Sequence, residues 1–177
     1  MPAERLAIRA EGLPSYRWAN LLLIADAHAS GSRRRPLTLD RIAIYEFFSG
    51  HPFLIFGADT KIGRSLVRAG LEPRSLTYAS APDRLAIRRQ RVQADISDLV
   101  ARRLADMDVD EGRLMIRMTE AGRRVASQLH SLHANAIRES ASHVVSKLDR
   151  LADRTLQSRA REWTRQNALM IDILEIA

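Results

Sequence analysis

Catalysis and metal binding need side chains that carry a proton, a charge or a lone pair at a fixed spacing. The 177-residue chain offers five histidines, His28, His51, His130, His133 and His143, and no cysteine. His130 and His133 stand one helical turn apart, a spacing that binds metal when a carboxylate or thiolate completes the set. Neither lies nearby in sequence, so the pair reads as solvated. Asp26 and His28 fall inside an apolar run, where a hydrogen-bonded structural role is the default. The eight glycines sit at turns and helix ends and form no phosphate-cradling loop. Without cysteine there is no disulfide, thiolate zinc site or thiol nucleophile, which fits a reducing compartment. The chain therefore reads as non-enzymatic, with no catalytic residue, metal or cofactor.

What remains is the chemistry of arginine. The chain carries 28 Lys and Arg against 21 Asp and Glu, and only Lys61 and Lys147 are lysines. The surplus is spread out: 11 bases and 7 acids in residues 1–82, 10 and 8 in 83–124, 7 and 6 in 125–177. Such a balance permits contact with nucleic acid without demanding it. Arg84, Arg88, Arg89 and Arg91 cluster in the first half of one helical segment. Arg113 and Arg117 share one face of a strand, and the six together are the candidate phosphate contacts. Asp95 and Asp98 read onto the same outer helix face and oppose this. So do Asp106, Asp108, Asp110 and Glu111 just before Arg113. No aromatic residue lies between Asp83 and Thr119, which argues against a reader of single strands or RNA.

These residues need elements to position them. Seven of the nine aromatics (Tyr16, Trp18, Tyr45, Phe47, Phe48, Phe53, Phe56) lie in residues 16–56 and read as the core of N-terminal helices. A buried helix is expected over residues 13–30, ending near Gly31. Thr38 is a plausible N-cap of a second helix, stopped at Ser49-Gly50-His51-Pro52. Ala58 to Ala69 suits a short helix closed by Gly70, and Pro73 to Pro82 reads as an extended connection. Asp83 reads as the cap of a third major helix with the apolar stripe Leu85, Val92, Ile96, Leu99, Val100 and Leu104. Two short strands follow, Ala105 to Val109 and Arg113 to Met118, joined at Asp110-Glu111-Gly112.

Thr119 then caps what reads as one long helix. Its apolar positions are Val125, Leu129, Leu132 and Ala136, then Ile137, Ala141, Val144, Leu148 and Leu151. This is a coiled-coil-like seam that shifts by one residue midway, about 40 Å long at 1.5 Å per residue. A more polar helix, Asp153 to Gln166, precedes an apolar tail. The tail either closes the chain's own core or docks on a partner, with strand addition to a sheet edge as one mode. No apolar run approaches the roughly 20 residues that span a bilayer. The first residues, Met1 to Arg5, lack an apolar signal core. The expectation is a cytoplasmic protein without membrane contact.

The run Ile96 to Leu104, Asp110-Glu111-Gly112-Arg113 and Met118-Thr119-Glu120-Ala121-Gly122-Arg123 resembles the winged helix-turn-helix family. There the helix before the hairpin enters the major groove and the hairpin touches flanking phosphates. A second resemblance spans residues 15–130. Tyr16-Arg17-Trp18-Ala19-Asn20, Leu37-Thr38-Leu39-Asp40-Arg41, Tyr45-Glu46-Phe47-Phe48 and His51-Pro52-Phe53-Leu54, followed by the winged helix, look like the middle components of bacterial ABC three-component systems.

That resemblance implies a non-enzymatic winged-helix adaptor joining an SMC-like or Rad50-like ATPase to an effector subunit in defence against phage and plasmids. It also allows contact with the backbone of double-stranded DNA. The alternative is a winged-helix transcription regulator, homodimeric through residues 119–150. The expected fold is mainly α with a small β-hairpin wing and a long C-terminal helix. Residues 1–82 would form the N-terminal helical part with an insertion, 83–130 the recognition-type helix, wing and start of the long helix, and 131–177 an oligomer or partner interface. The candidate partner-binding residues are Leu129, Leu132, Val144, Leu148, Leu151, Leu169, Met170, Ile171, Ile173 and Leu174.

Overall fold

A computed structural model describes residues 12–31, 35–73 and 81–175, with side chains as far as residue 165. Seven helices and one hairpin follow in order: α1 (Pro14–Ser30), α2 (Leu39–Gly50), α3 (Lys61–Arg68), α4 (Ala81–Ala101), β1 (Ala105–Asp110), β2 (Arg113–Met118), α5 (Glu120–Gln128), α6 (Leu132–Leu148) and α7 (Asp153–Glu175). The fold is mainly α, and a hairpin following a helix is consistent with a winged helix.

At the centre lies α2, whose residues 41–49 are all buried. It packs against α1, α4 and α6. Thr38 caps it by accepting the Arg41 N–H at 3.3 Å. Phe47 and Phe48 meet edge to face, and Phe48 meets Trp163 of α7 in the same way. The N-terminal aromatics thus form a core, closed from the C-terminal end by Trp163, the ring nearest the far terminus.

A helix buried on all sides is ordinarily apolar throughout. This one carries Arg41 and Glu46, and buried charges persist only when paired. The Arg41 guanidinium donates to Asp153 Oδ1 at 2.7 Å, to Tyr45 Oη at 2.8 Å and to the Leu151 carbonyl at 2.6 Å. Tyr45 in turn donates to Asp149 Oδ1 at 3.0 Å. Burial, more than any charge nearby, pushes the Tyr45 phenol up from its ordinary range, so it stays protonated and keeps this donor role. The Arg35 backbone N–H donates to Asp149 Oδ2 at 3.2 Å. The α6–α7 turn is thereby fastened to α2.

The hairpin closes with two residues in the left-handed region, Glu111 at φ 48° and Gly112 at φ 73°. Two positive φ values across a two-residue loop match the right-handed twist of the strands. Register runs from Ala105 opposite Met118 to Asp110 opposite Arg113. On the far side of β2, Thr38 bridges to Met115 and the Ile116 N–H donates to Leu37 O at 2.9 Å. The chain before α2 therefore lies along β2.

Three expectations change. Helix α4 begins at Ala81, so Pro82 and Asp83 lie in its first turn and Asp83 is not the cap. The single long helix is two. Leu129 turns extended (φ −82°, ψ 103°), and Ser131 starts α6 afresh by accepting the Ala134 N–H at 3.1 Å. The carbonyls freed at the break are taken by Arg138, which donates to Ala126 O and Leu129 O at 3.0 and 2.8 Å. The one-residue shift in the apolar seam, at Ala136 and Ile137, falls inside α6 and does not mark this break. Finally, the tail backbone to Glu175 continues α7 and is not a strand.

Two substitutions test this account. A Cβ on Gly122 would stand 2.1 Å from Leu104 O and 2.8 Å from Met118 Cγ. Gly122→Ala is expected to destabilise, although in an open helix the same change gains about 1 kcal/mol. Arg41→Ala strands the buried Asp149 carboxylate and is expected to cost about 3–5 kcal/mol. Urea unfolding followed by circular dichroism measures both; a stabilised Gly122→Ala protein or a neutral Arg41→Ala protein would refute the packing described.

Candidate functional site

The recognition-type helix α4 turns Val92, Asp95, Ile96 and Leu99 inward; all four are buried. Asp95 is therefore not on the outer face. It receives Arg17 in a two-pronged pair, Nε to Oδ2 and a terminal nitrogen to Oδ1, each at 2.8 Å. This hydrogen bond is the main reason that Arg17 holds its proton more tightly than usual. Arg88 is likewise turned inward. Its guanidinium forms a two-pronged pair with Glu46, whose side chain is 6% exposed. Arg89 pairs at the surface with Asp40. Three salt bridges thus join α4 to α1 and to the buried helix α2, and they use two of the four clustered arginines.

The outward stripe of α4 consists of Ile87, Gln90, Arg91, Ala94 and Asp98, all exposed. It holds one base and one acid beside Ile87, which is 61% exposed. This is not a basic face. Arg84 is half-buried and lines a polar cleft with Arg17, Glu46, Glu72 and His133.

The hairpin repeats the pattern. Arg113 is drawn toward α7, donating to Asp153 Oδ2 at 3.3 Å and to Glu111 at 3.2 Å. Arg117 is exposed and lies directly opposite Asp106 in the register. The two strand arginines do share a face, as expected, but Asp106, Asp108 and Asp110 of β1 share it with them. Of the six candidate phosphate contacts, Arg91 and Arg117 are exposed and bond to no other side chain among the described residues, and they sit on different elements.

The candidate partner-binding residues divide sharply. Val144 and Leu148 are fully buried, because α6 packs on α1 and α2. In this structure they close the chain's own core. Leu151 is half-buried against the same core, and Leu129 packs on Leu23, Ala134 and Ile137. Leu132 is the exception at 88% exposed. The side chains of Leu169, Met170, Ile171, Ile173 and Leu174 lie outside the described residues, although the helix carrying them is described to Glu175.

Four of the five histidines make ring contacts or hydrogen bonds within the fold, and His130 is exposed. His133 stacks on Tyr16 with ring centroids 4.6 Å apart and sits 3.3 Å from Asn20 Oδ1. His28 Nε2 lies 2.9 Å from Arg35 O, beside the Asp149 network. Among the described residues no group of three or more potential metal ligands comes together, and no helix is long and apolar enough to cross a membrane. Sequence reasoning missed Arg17, Arg41 and Glu46. Their only local signal was a charge standing inside an apolar helical run.

The family model described as ABC-three component (ABC-3C) system Middle Component 2 matches residues 27–168. It runs further toward the C-terminus than the resemblance over residues 15–130, taking in α6 and α7 as far as residue 168. No curated protein and no solved structure matches the chain.

The arginine geometry makes a prediction of its own. Arg88→Ala leaves Glu46 buried without its partner and is expected to cost about 2 kcal/mol or more. Arg91→Ala, on the exposed stripe, is expected to change stability by less than about 0.5 kcal/mol. Equilibrium unfolding of the pair decides: equal effects would mean that Arg88 does not serve the fold.

Proposed function

The chain belongs to the ABC-three component system Middle Component 2 family, and on that premise we propose that it is a non-enzymatic adaptor. In this reading it joins an SMC-like ABC ATPase to an effector subunit, in a system directed against phage or plasmids. The family match over residues 27–168 carries the proposal. The distribution of surfaces supports it. An adaptor needs a rigid body with separate points of attachment, and Leu132 at the start of α6 and the exposed residues of β1 lie outside the packed centre.

A sequence-specific regulator is less well supported. It needs a basic, outward recognition helix, whereas Arg88 and Arg89 are paired with Glu46 and Asp40. The first hairpin strand is acidic as well. Backbone contact with DNA, if present, would rest on Arg91 and Arg117 and would be weak and steeply salt-dependent.

Co-expression with an SMC-like ATPase and an effector subunit of the same system tests the adaptor. The expected outcome is a stable complex on size-exclusion chromatography that includes both partners. Leu132→Glu should leave the unfolding midpoint of the isolated chain unchanged, since the side chain is already 88% exposed, and should reduce recovery of at least one partner. A chain that elutes alone from the co-expressed mixture would sink the reading.

A further inference from the structure

The outer edge of β1 is unpaired among the described residues: β2 lies on one side, and the Thr38 bridge is on β2's far side. A two-residue turn makes Asp110 and Arg113 the closing hydrogen-bonded pair, so the N–H groups of Asp106, Asp108 and Asp110 face β2. Those of Met107 and Val109 then face outward. The Val109 N–H is held by the Asp108 carboxylate at 2.8 Å, a side-chain bond that a neighbouring strand's carbonyl can replace.

Side chains on this edge alternate. Asp106, Asp108 and Asp110 lie on one face, Met107 and Val109 on the other, with Met107 39% and Val109 64% exposed. Three aspartates in a six-residue strand are poor β-formers, and charge on an edge ordinarily prevents self-pairing. A second copy laid along this edge would set carboxylate beside carboxylate. A strand with lysine or arginine at alternate positions would meet the aspartates, and its intervening apolar side chains would cover Met107 and Val109.

Building on the adaptor reading, we propose that the outer edge of β1 is a docking strand for an extended basic segment of a partner protein. Backbone bonds at Met107 and Val109 would supply affinity, and the aspartates would select for positive charge. The hairpin is then a protein-binding element, oriented by the Arg113 bond to Asp153 of α7.

The test titrates the full chain, labelled with 15N, with a synthetic peptide of alternating lysine and valine, using the glutamate–valine peptide as control. Expected are amide shifts and slowed hydrogen exchange centred on residues 105–110, with binding roughly tenfold or more tighter than the control. Val109→Pro removes the outward N–H and should abolish the shifts. Asp108→Lys leaves the backbone intact and should weaken the lysine peptide about tenfold or more. Shifts spread over other elements, equal binding of both peptides, or indifference to both substitutions would overturn the proposal. The two readings fail separately. A chain that captures its partner subunits but ignores the peptide keeps the adaptor role and loses the docking strand. A chain that binds the peptide and captures no subunit does the reverse.

Discussion

The fold depends on how two charges in the central helix are neutralised. Helix α2 has no solvent face along residues 41–49, yet it contains Arg41 and Glu46. Neither can be buried alone, because the cost of stripping a lone charge of water is several kcal/mol even after relaxation. Arg41 obtains Asp149, Asp153 and Tyr45 from elsewhere in the chain and within its own helix, and Glu46 obtains Arg88. Apolar packing is non-directional and would tolerate several docking angles for α4 and for the α6–α7 turn. A forked guanidinium facing a carboxylate tolerates few. The two charges therefore act as register marks, and Arg17 with Asp95 supplies a third between α1 and α4.

That arrangement explains what a reading of the sequence could and could not see. Local chemistry was legible. Thr38 and Thr119 cap helices through their own hydroxyls, Glu111-Gly112 makes the hairpin turn, and the density of rings in residues 16–56 marks the core. Each depends on residues a few positions apart. The charge pairs do not: Arg17 and Asp95 are 78 residues apart, Arg41 and Asp153 are 112, and Arg88 and Glu46 are 42. Periodicity along one helix places Arg88 and Asp95 among polar residues and cannot reveal the opposite charge buried on another helix. Arginine on a helix reads as solvated until its counter-ion is known.

Two helix ends are stopped by features that periodicity does not register. Just beyond the end of helix α4, Arg103 stands at φ 58°, and the Leu104 N–H donates to Leu99 O at 2.9 Å. Glycine usually occupies such a position, so with arginine there the sequence carries no stop signal. At Leu129 the apolar seam continues on both sides of the break, and only the Ser131 hydroxyl and the distant Arg138 register that the helix has restarted. A seam of regular spacing reports which residues are buried. It does not report whether one helix or two present them.

The same distinction bears on where a partner can bind. Regular apolar spacing over residues 125–151 invites the idea of a rod awaiting a second helix, but α1 and α2 already occupy that face, and Val144 and Leu148 are fully buried there. Opening the core to expose them would leave Asp149 without Arg41 and Tyr45, so the charge network that orders the fold also keeps this face closed. On the proposed adaptor role, attachment would then fall on what the network does not engage. Among the described residues, those features are Leu132 at a helix start, the mixed outer stripe of α4, and the hairpin edge. Each is small compared with the roughly 800 Å² per partner of a standard stable interface. If the proposed adaptor role holds, a subunit built this way would bind through several modest contacts rather than one broad face, and linked contacts on one assembly would reinforce each other.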